Sequence, residues 1–169
     1  MIIRQVDEKD LNQLITLENK GFTPDEAASK DAFITRIKTI PDTFIIAEEN
    51  EEIIGYVNGP VISAPFITDD LFEKTISNPE TGGYQSILGI VVNPKHHHKG
   101  IASMLLKEFE KQARNKQRVT VTLTCKEELI PFYEKNGYVN QGVAQSQHAG
   151  VQWFNMSCLL YTSPSPRDS

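Results

Sequence analysis

Apolar positions along the chain change their period several times, and each change marks an element. Residues 1–6 suit a short strand. Asp7 then offers a helix cap, and Leu11, Leu14, Ile15 and Leu17 recur at helical spacing until Gly21 ends the run. Pro24-Asp25-Glu26 predicts the opening of a second helix, with acids in its first turn and Phe33, Ile34 and Ile37 along one side. Residues 43–48 and 52–62 predict a hairpin turning through Glu49-Asn50-Glu51. Between Pro65 and Gly82-Gly83 the periodicity lapses, which predicts an excursion with a turn or so of helix near 69–76.

The middle of the chain carries the clearest pattern. Residues 87–92 are a continuous apolar run of strand length, as expected of a central strand covered on both faces. Pro94 stops it. A helix is expected from Lys99-Gly100, with Ile101, Leu105, Phe109 and Ala113 spaced four apart on its buried face. Residues 119–125 alternate strictly, the pattern of a half-buried strand. A short helix over Glu127–Lys135 ends at Asn136-Gly137, and 138–144 and 150–157 predict a last hairpin. The order β, α, α, hairpin, then β-α-β-α-β-β is mixed α/β, with a parallel crossover in its middle.

Composition narrows the function classes. The 169 residues make one domain, 1–157, before a polar stretch, 158–169, whose Pro164 and Pro166 mark it as a non-native or disordered tail. Net charge is −5, from 17 basic and 22 acidic residues, which argues against nucleic acid as the main ligand. No apolar run reaches membrane-spanning length, and the start Met1-Ile2-Ile3-Arg4 lacks a signal peptide's basic and apolar regions. Two cysteines form no disulfide framework, so a cytoplasmic, reducing location is expected. His96-His97-His98 are adjacent in a loop, a spacing that seldom converges on one ion, and no metal is expected.

Two segments carry candidate chemistry. In Val91–Ser103 a buried strand enters a loop that opens a helix at Gly100, where free backbone N–H groups and the helix dipole favour an anion. Neither G-x-x-x-x-G-K-[ST] nor G-x-G-x-x-G is present, and by itself such a turn is most often only a connection. In Glu128–Tyr138, Leu129 and Tyr133 lie one turn apart, so Tyr133 reads either as a general acid or as a core tyrosine with a satisfied hydroxyl.

Together the two segments resemble the GNAT superfamily of N-acetyltransferases. Its acyl-CoA signature, Q/R-x-x-G-x-G/A, is here His97-His98-Lys99-Gly100-Ile101-Ala102, with histidine at the first position. Its later F-Y-x-K-x-G-F/Y motif is here Phe132-Tyr133-Glu134-Lys135-Asn136-Gly137-Tyr138. Residues 124–133 are similar to arylalkylamine N-acetyltransferase-like bacterial members, but Ser86 and Leu88 stand where those enzymes carry the two histidines that assist proton removal. The resemblance covers 1–157 in element order and is motif-specific over 86–138.

It implies a mixed α/β, α+β-like GNAT fold. That is a central, mostly antiparallel twisted sheet with a parallel, splayed pair at the acetyl-CoA site, flanked by about four helices. Acetyl-CoA is the implied co-substrate. Ile90, Val91 and Val92 would meet its pantetheine arm, and His97, His98, Lys99, Gly100, Ile101, Ala102 and Ser103 its pyrophosphate. The implied activity is direct transfer of acetyl to a primary amine of a small molecule, with Tyr133 protonating the thiolate. Ser86 would act in water-mediated proton removal, with Tyr84, Glu18 and His148 as other groups touching the water chain. Cys125 would be a strand residue and not a nucleophile. A protein or peptide N-acetyltransferase and a non-catalytic acetyl-CoA sensor are the alternatives. The amine and the oligomeric state, a homodimer included, stay open.

Overall fold

The computed structural model describes residues 1–146 and 148–160, with His148 by its backbone alone. Among these, the strands are β1 (Ile2–Gln5), β2 (Phe44–Glu49), β3 (Glu52–Asn58), β4 (Val61–Ile62), β5 (Tyr84–Ile87), β6 (Gly89–Val92), β7 (Thr120–Cys125), β8 (Val139–Val143) and β9 (Phe154–Leu159). The helices are α1 (Leu11–Gly21), α2 (Lys30–Thr39), α3 (Ile101–Asn115) and α4 (Ile130–Lys135). Strands β1-β2-β3-β6 form one antiparallel sheet, and β4-β5-β7-β9-β8 form a second in which β5 and β7 run parallel. This is the mixed α/β fold, mostly antiparallel with one parallel pair, that the resemblance implied.

Helix α3 covers one face across both sheets. Its Leu105 and Phe109 pack with Ile45 and Ile54 of the first sheet and with Val121 and Leu123 of the second. Helices α1 and α2 cover the opposite face of the first sheet, where Leu14, Leu17, Phe33 and Ile37 meet Phe44, Ile46 and Tyr56. The expected stripe Ile101, Leu105, Phe109 and Ala113 is buried throughout. Leu105 is 0% exposed, so Leu105→Ala leaves a cavity. It is expected to lower unfolding free energy by about 2–5 kcal/mol, read from a urea titration.

The central run of 87–92 is not one strand. It divides at Leu88, β5 going to the second sheet and β6 to the first. The hairpin's second arm divides opposite it. β3 pairs with β6 as far as Asn58↔Gly89, and beyond Gly59-Pro60 the chain resumes as β4 on the far side of β5. Gly59 permits that crossing, because a Cβ there would lie 2.1 Å from the Ser86 carbonyl oxygen. Pro60 has no N–H to continue the ladder, and its carbonyl accepts both the Ser86 amide (3.0 Å) and the Ser86 hydroxyl (2.6 Å). Continuous hydrophobicity marks burial on both faces and is blind to which neighbour each residue pairs with. The sheets therefore part between β6 and β7, and residues on both sides of the parting line one cavity at the carboxyl end of β5.

Three boundaries differ from the pattern. α2 begins at Lys30, not at Pro24, because Ser29 supplies the cap, its hydroxyl accepting the Ala32 amide at 3.1 Å. Asp7 caps a short 3₁₀ turn over Glu8–Asp10 before α1 begins. Strand β9 runs to Leu159, and Leu160 is buried with its amide on the Val119 carbonyl, so 158–160 belong to the sheet. The rest of the expected tail, 161–169, lies outside the described residues.

Candidate active site

At this parting, β6 hands the chain to a loop that is tightly fixed. Asn93 Oδ1 accepts the Lys95 amide at 3.0 Å, and a 3₁₀ turn follows over Pro94–His96. His97 Nε2–H donates back to the Val92 carbonyl at 2.9 Å. His98 (φ 66°) and Gly100 (φ 76°) are left-handed, and α3 starts from Gly100 with no side-chain cap. The first helical bond is Met104 N–H to the Gly100 carbonyl, so the amides of Ile101, Ala102 and Ser103 have no partner within the helix. A helix of 15 residues thus points open donors and its positive end at the parting of the sheets, an arrangement suited to an anion.

A cavity of about 970 Å³ runs from this helix start, along β6 and the ends of β5 and β7, to the α1–α2 connection. Every residue expected to meet the acyl donor lines it except Lys99. Val91 packs its side chain against Gly21 of α1, which also lines the cavity. Tyr133 also lines it. Ser86 does not: it is 0% exposed and bonded to Pro60. The side chain of His148 lies outside the described residues.

Tyr133 is held by aromatic edges, Phe132 at 5.1 Å and Tyr138 at 5.7 Å between ring centroids. Tyr138 is anchored in turn, its hydroxyl donating to buried Glu110 of α3 at 2.9 Å. Among the described residues the Tyr133 hydroxyl makes no hydrogen bond, so its proton is available to a group in the cavity. Burial, with the neighbouring Cys125, pushes this phenol well above its ordinary range, and it stays protonated at any working pH. Burial, followed by Glu128, pushes the Cys125 thiol up to about 11, which leaves little thiolate for nucleophilic attack.

On the other side of β6 stands a cluster that periodicity alone does not single out. Glu18 of α1 is 4% exposed and lines the cavity. Its carboxylate accepts the Ala28 amide at 2.7 Å and a short hydrogen bond from the Tyr56 hydroxyl. That hydroxyl lies 2.9 Å from where a Cβ on Gly89 would be, which places the Glu18 carboxylate beside the first residue of β6. Burial raises the Glu18 pKa above the ordinary carboxylate range, against the lowering effects of Ala28, Tyr56 and Arg36. Arg36 of α2 is 2% exposed and lines the same cavity. The signal for both was present: Glu18 follows Leu14 by four, and Arg36 follows Phe33 by three, so each charge sits on a buried stripe.

Among the described residues no group of three or more His, Cys, Asp and Glu is placed to hold a metal. None of the described helices is long and apolar enough to cross a membrane.

Residues 11–138 match the acetyltransferase (GNAT) family, and the chain belongs to that family. An uncharacterized N-acetyltransferase, ycf52, of Pyropia yezoensis is 22% identical over 148 residues, covering 78% of this chain and 82% of the relative. A GNAT-like decarboxylase, GphF, solved with isobutyryl-CoA, superposes with a TM-score of 0.81 at 17% identity over 95% of this chain and 100% of its own. An aminoglycoside 6'-N-acetyltransferase solved with coenzyme A gives 0.73 at 18% identity over 98% of this chain and 100% of its own. The chain is an acyltransferase of the acetyl-CoA-dependent type.

Proposed function

We propose that this enzyme transfers acetyl from acetyl-CoA to the primary amine of a small molecule by direct attack. In this reading Glu18 takes the amine proton and Tyr133 protonates the departing thiolate. The observation that carries it is the pairing of a buried carboxyl and a buried phenol on one cavity, flanking the unpaired side of β6. A carboxyl that can accept the amine proton and a phenol that still carries its own proton when the thiolate forms are the two groups that direct aminolysis needs. Both reactants brought to one cavity beside fixed backbone donors would supply the remaining acceleration. The Ser86 hydroxyl is already donated to Pro60, which makes Glu18 the better-placed proton acceptor.

Ile90 and Val92 would hold the pantetheine arm through their backbone, and the amides of Ile101 to Ser103, with His98 and Gly100 turning the loop, would hold the pyrophosphate. Gly100→Glu is then expected to weaken acetyl-CoA binding about tenfold or more in calorimetry, combining left-handed strain with a carboxylate at the anion site. Open space surrounds the missing Cβ, so Gly100→Ala isolates the strain and should lose less. Undiminished affinity of the Glu variant removes the phosphates from this helix start.

Support for a small acceptor comes from the excursion after β4, which brings Phe72 and Glu73 to the cavity wall. The test is thiol release from acetyl-CoA against amines, amino acids, polyamines and short peptides, beside acetyl-CoA calorimetry. Turnover with a small amine is expected. Turnover with peptides only would transfer the reading to protein acetylation, and binding with no turnover would leave a sensor.

A further inference from the structure

Arg36 is the least explained charge in the molecule. It is 2% exposed, among the largest side chains wholly inside the protein. A guanidinium so buried ordinarily faces a carboxylate, since an unpaired charge in a low-dielectric interior is strongly unfavourable. Among the described residues the Arg36 side chain makes one hydrogen bond, from Nη2 to the Phe72 carbonyl at 2.8 Å. Its Nε is buried with no hydrogen-bond partner among the described residues. Its other neighbour is the face of Phe33, 5.8 Å from ring centroid to guanidinium carbon.

Glu18 does not fill the vacancy. Each charge favours the other's ionised form, yet among the described residues no hydrogen bond or ion pair joins them. The two Glu18 oxygens are directed elsewhere, to the Tyr56 hydroxyl and the Ala28 amide. What results is a buried cation and a buried carboxyl on one cavity wall, near each other and not paired. That is the negative image of a zwitterion.

We propose that the acceptor is a free amino acid, its α-carboxylate held by Arg36 and its α-amine presented to Glu18. This rests on the acetyl-transfer reading and names the substrate class of that site. The guanidinium of Arg36, which lines the cavity, offers a carboxylate the N–H donors that Phe72 does not use. With the carboxylate so held, the adjoining nitrogen falls on the Glu18 side, beside Gly89 and β6. Glu18 takes one proton from the ammonium, the freed lone pair forms the N–C bond to the acetyl carbon, the C–S bond breaks to leave the thiolate that Tyr133 protonates, and the remaining extra proton on nitrogen returns to the Tyr133 phenolate. A peptide N-terminus lacks the adjoining carboxylate, so the same geometry disfavours it. Arg36 here determines specificity, because it binds a part of the acceptor that does not react.

The experiment measures kcat/KM for free L-amino acids, each beside its amide and its decarboxylated amine, with the full chain and acetyl-CoA. The wild-type enzyme is expected to favour the acid over its own amide at least tenfold. Arg36→Gln is expected to lower kcat/KM for the acid about 100-fold and leave the amide unchanged, reversing the preference. Equal loss on acid and amide in a folded variant assigns Arg36 a structural role and overturns the proposal. Should Arg36→Gln not fold, Arg36→Lys keeps the charge without the fork, and a loss confined to the acid supports the proposal while an equal loss overturns it. Turnover of the decarboxylated amine as fast as of the acid, with neither depending on Arg36, sinks this inference and leaves acetyl transfer standing. Arg36 dependence that follows a carboxylate on the acyl donor instead of the acceptor overturns it as well. A rise in melting temperature with the acid and not with the amide, without thiol release, keeps the carboxylate site and sinks acetyl transfer.

Discussion

Glu18→Gln is expected to lower kcat by about 100- to 10,000-fold, the range over which a positioned proton acceptor contributes. Acetyl-CoA affinity should change little, because Glu18 belongs to α1 and the amides proposed to hold the pyrophosphate belong to α3. Gln keeps the shape of the side chain and an oxygen for the Ala28 amide, so the loss isolates the proton chemistry. In the wild-type enzyme the rate should rise with pH through the Glu18 pKa, at higher pH than for an ordinary carboxyl, since burial raises that pKa.

Stability runs in the opposite direction. A folded-state pKa above the unfolded value means that the ionised carboxylate opposes folding. That opposition is absent below the unfolded pKa and fully present above the folded one. Glu18→Gln should therefore melt no lower than the wild type at neutral pH, and any advantage should shrink as pH falls into the carboxylate range. A thermal melt beside the thiol-release assay checks both. Lost activity together with a lowered melting temperature would make Glu18 a structural residue.

Tyr133→Phe is expected to reduce kcat about 100-fold with nearly unchanged acetyl-CoA affinity. The phenol ring packs between Phe132 and Tyr138, and those contacts survive the substitution. The hydroxyl has no protein partner among the described residues, so its removal orphans nothing. Thermal stability should accordingly be preserved. Because burial and Cys125 keep the phenol protonated, no alkaline fall in the wild-type rate should trace to Tyr133. Turnover unchanged at every pH would exclude Tyr133 as the proton donor, and single-turnover measurement of the transfer step decides it.

How much of this was legible in the chain depends on the range of the forces involved. The stripe of α3, the alternation of β7 and the glycine at the start of α3 are local. Each residue there is chosen by neighbours one turn or one strand step away, and each element stands where its pattern placed it. The α2 boundary was misplaced because Pro24-Asp25-Glu26 and Ser29 are both competent starts. Only packing selects the second, through the Ser29 cap and the Ala28 amide drawn to Glu18.

Sequence alone determined most of the element order, the buried stripe of α3, the alternation of β7, the helix start at Gly100 and, through the resemblance, the motif that contains Tyr133. Tertiary structure decided everything that requires two distant segments to meet. It split residues 87–92 between two sheets, because the crossing at Gly59-Pro60 captures Ser86 while Asn58 stays with Gly89. It also brought Glu18 and Arg36 from two helices to one cavity and set the Tyr56 hydroxyl of β3 against Glu18. Periodicity records how deeply a residue is buried, whereas charge pairing across a cavity depends on which buried residues face one another, and that is set by the fold.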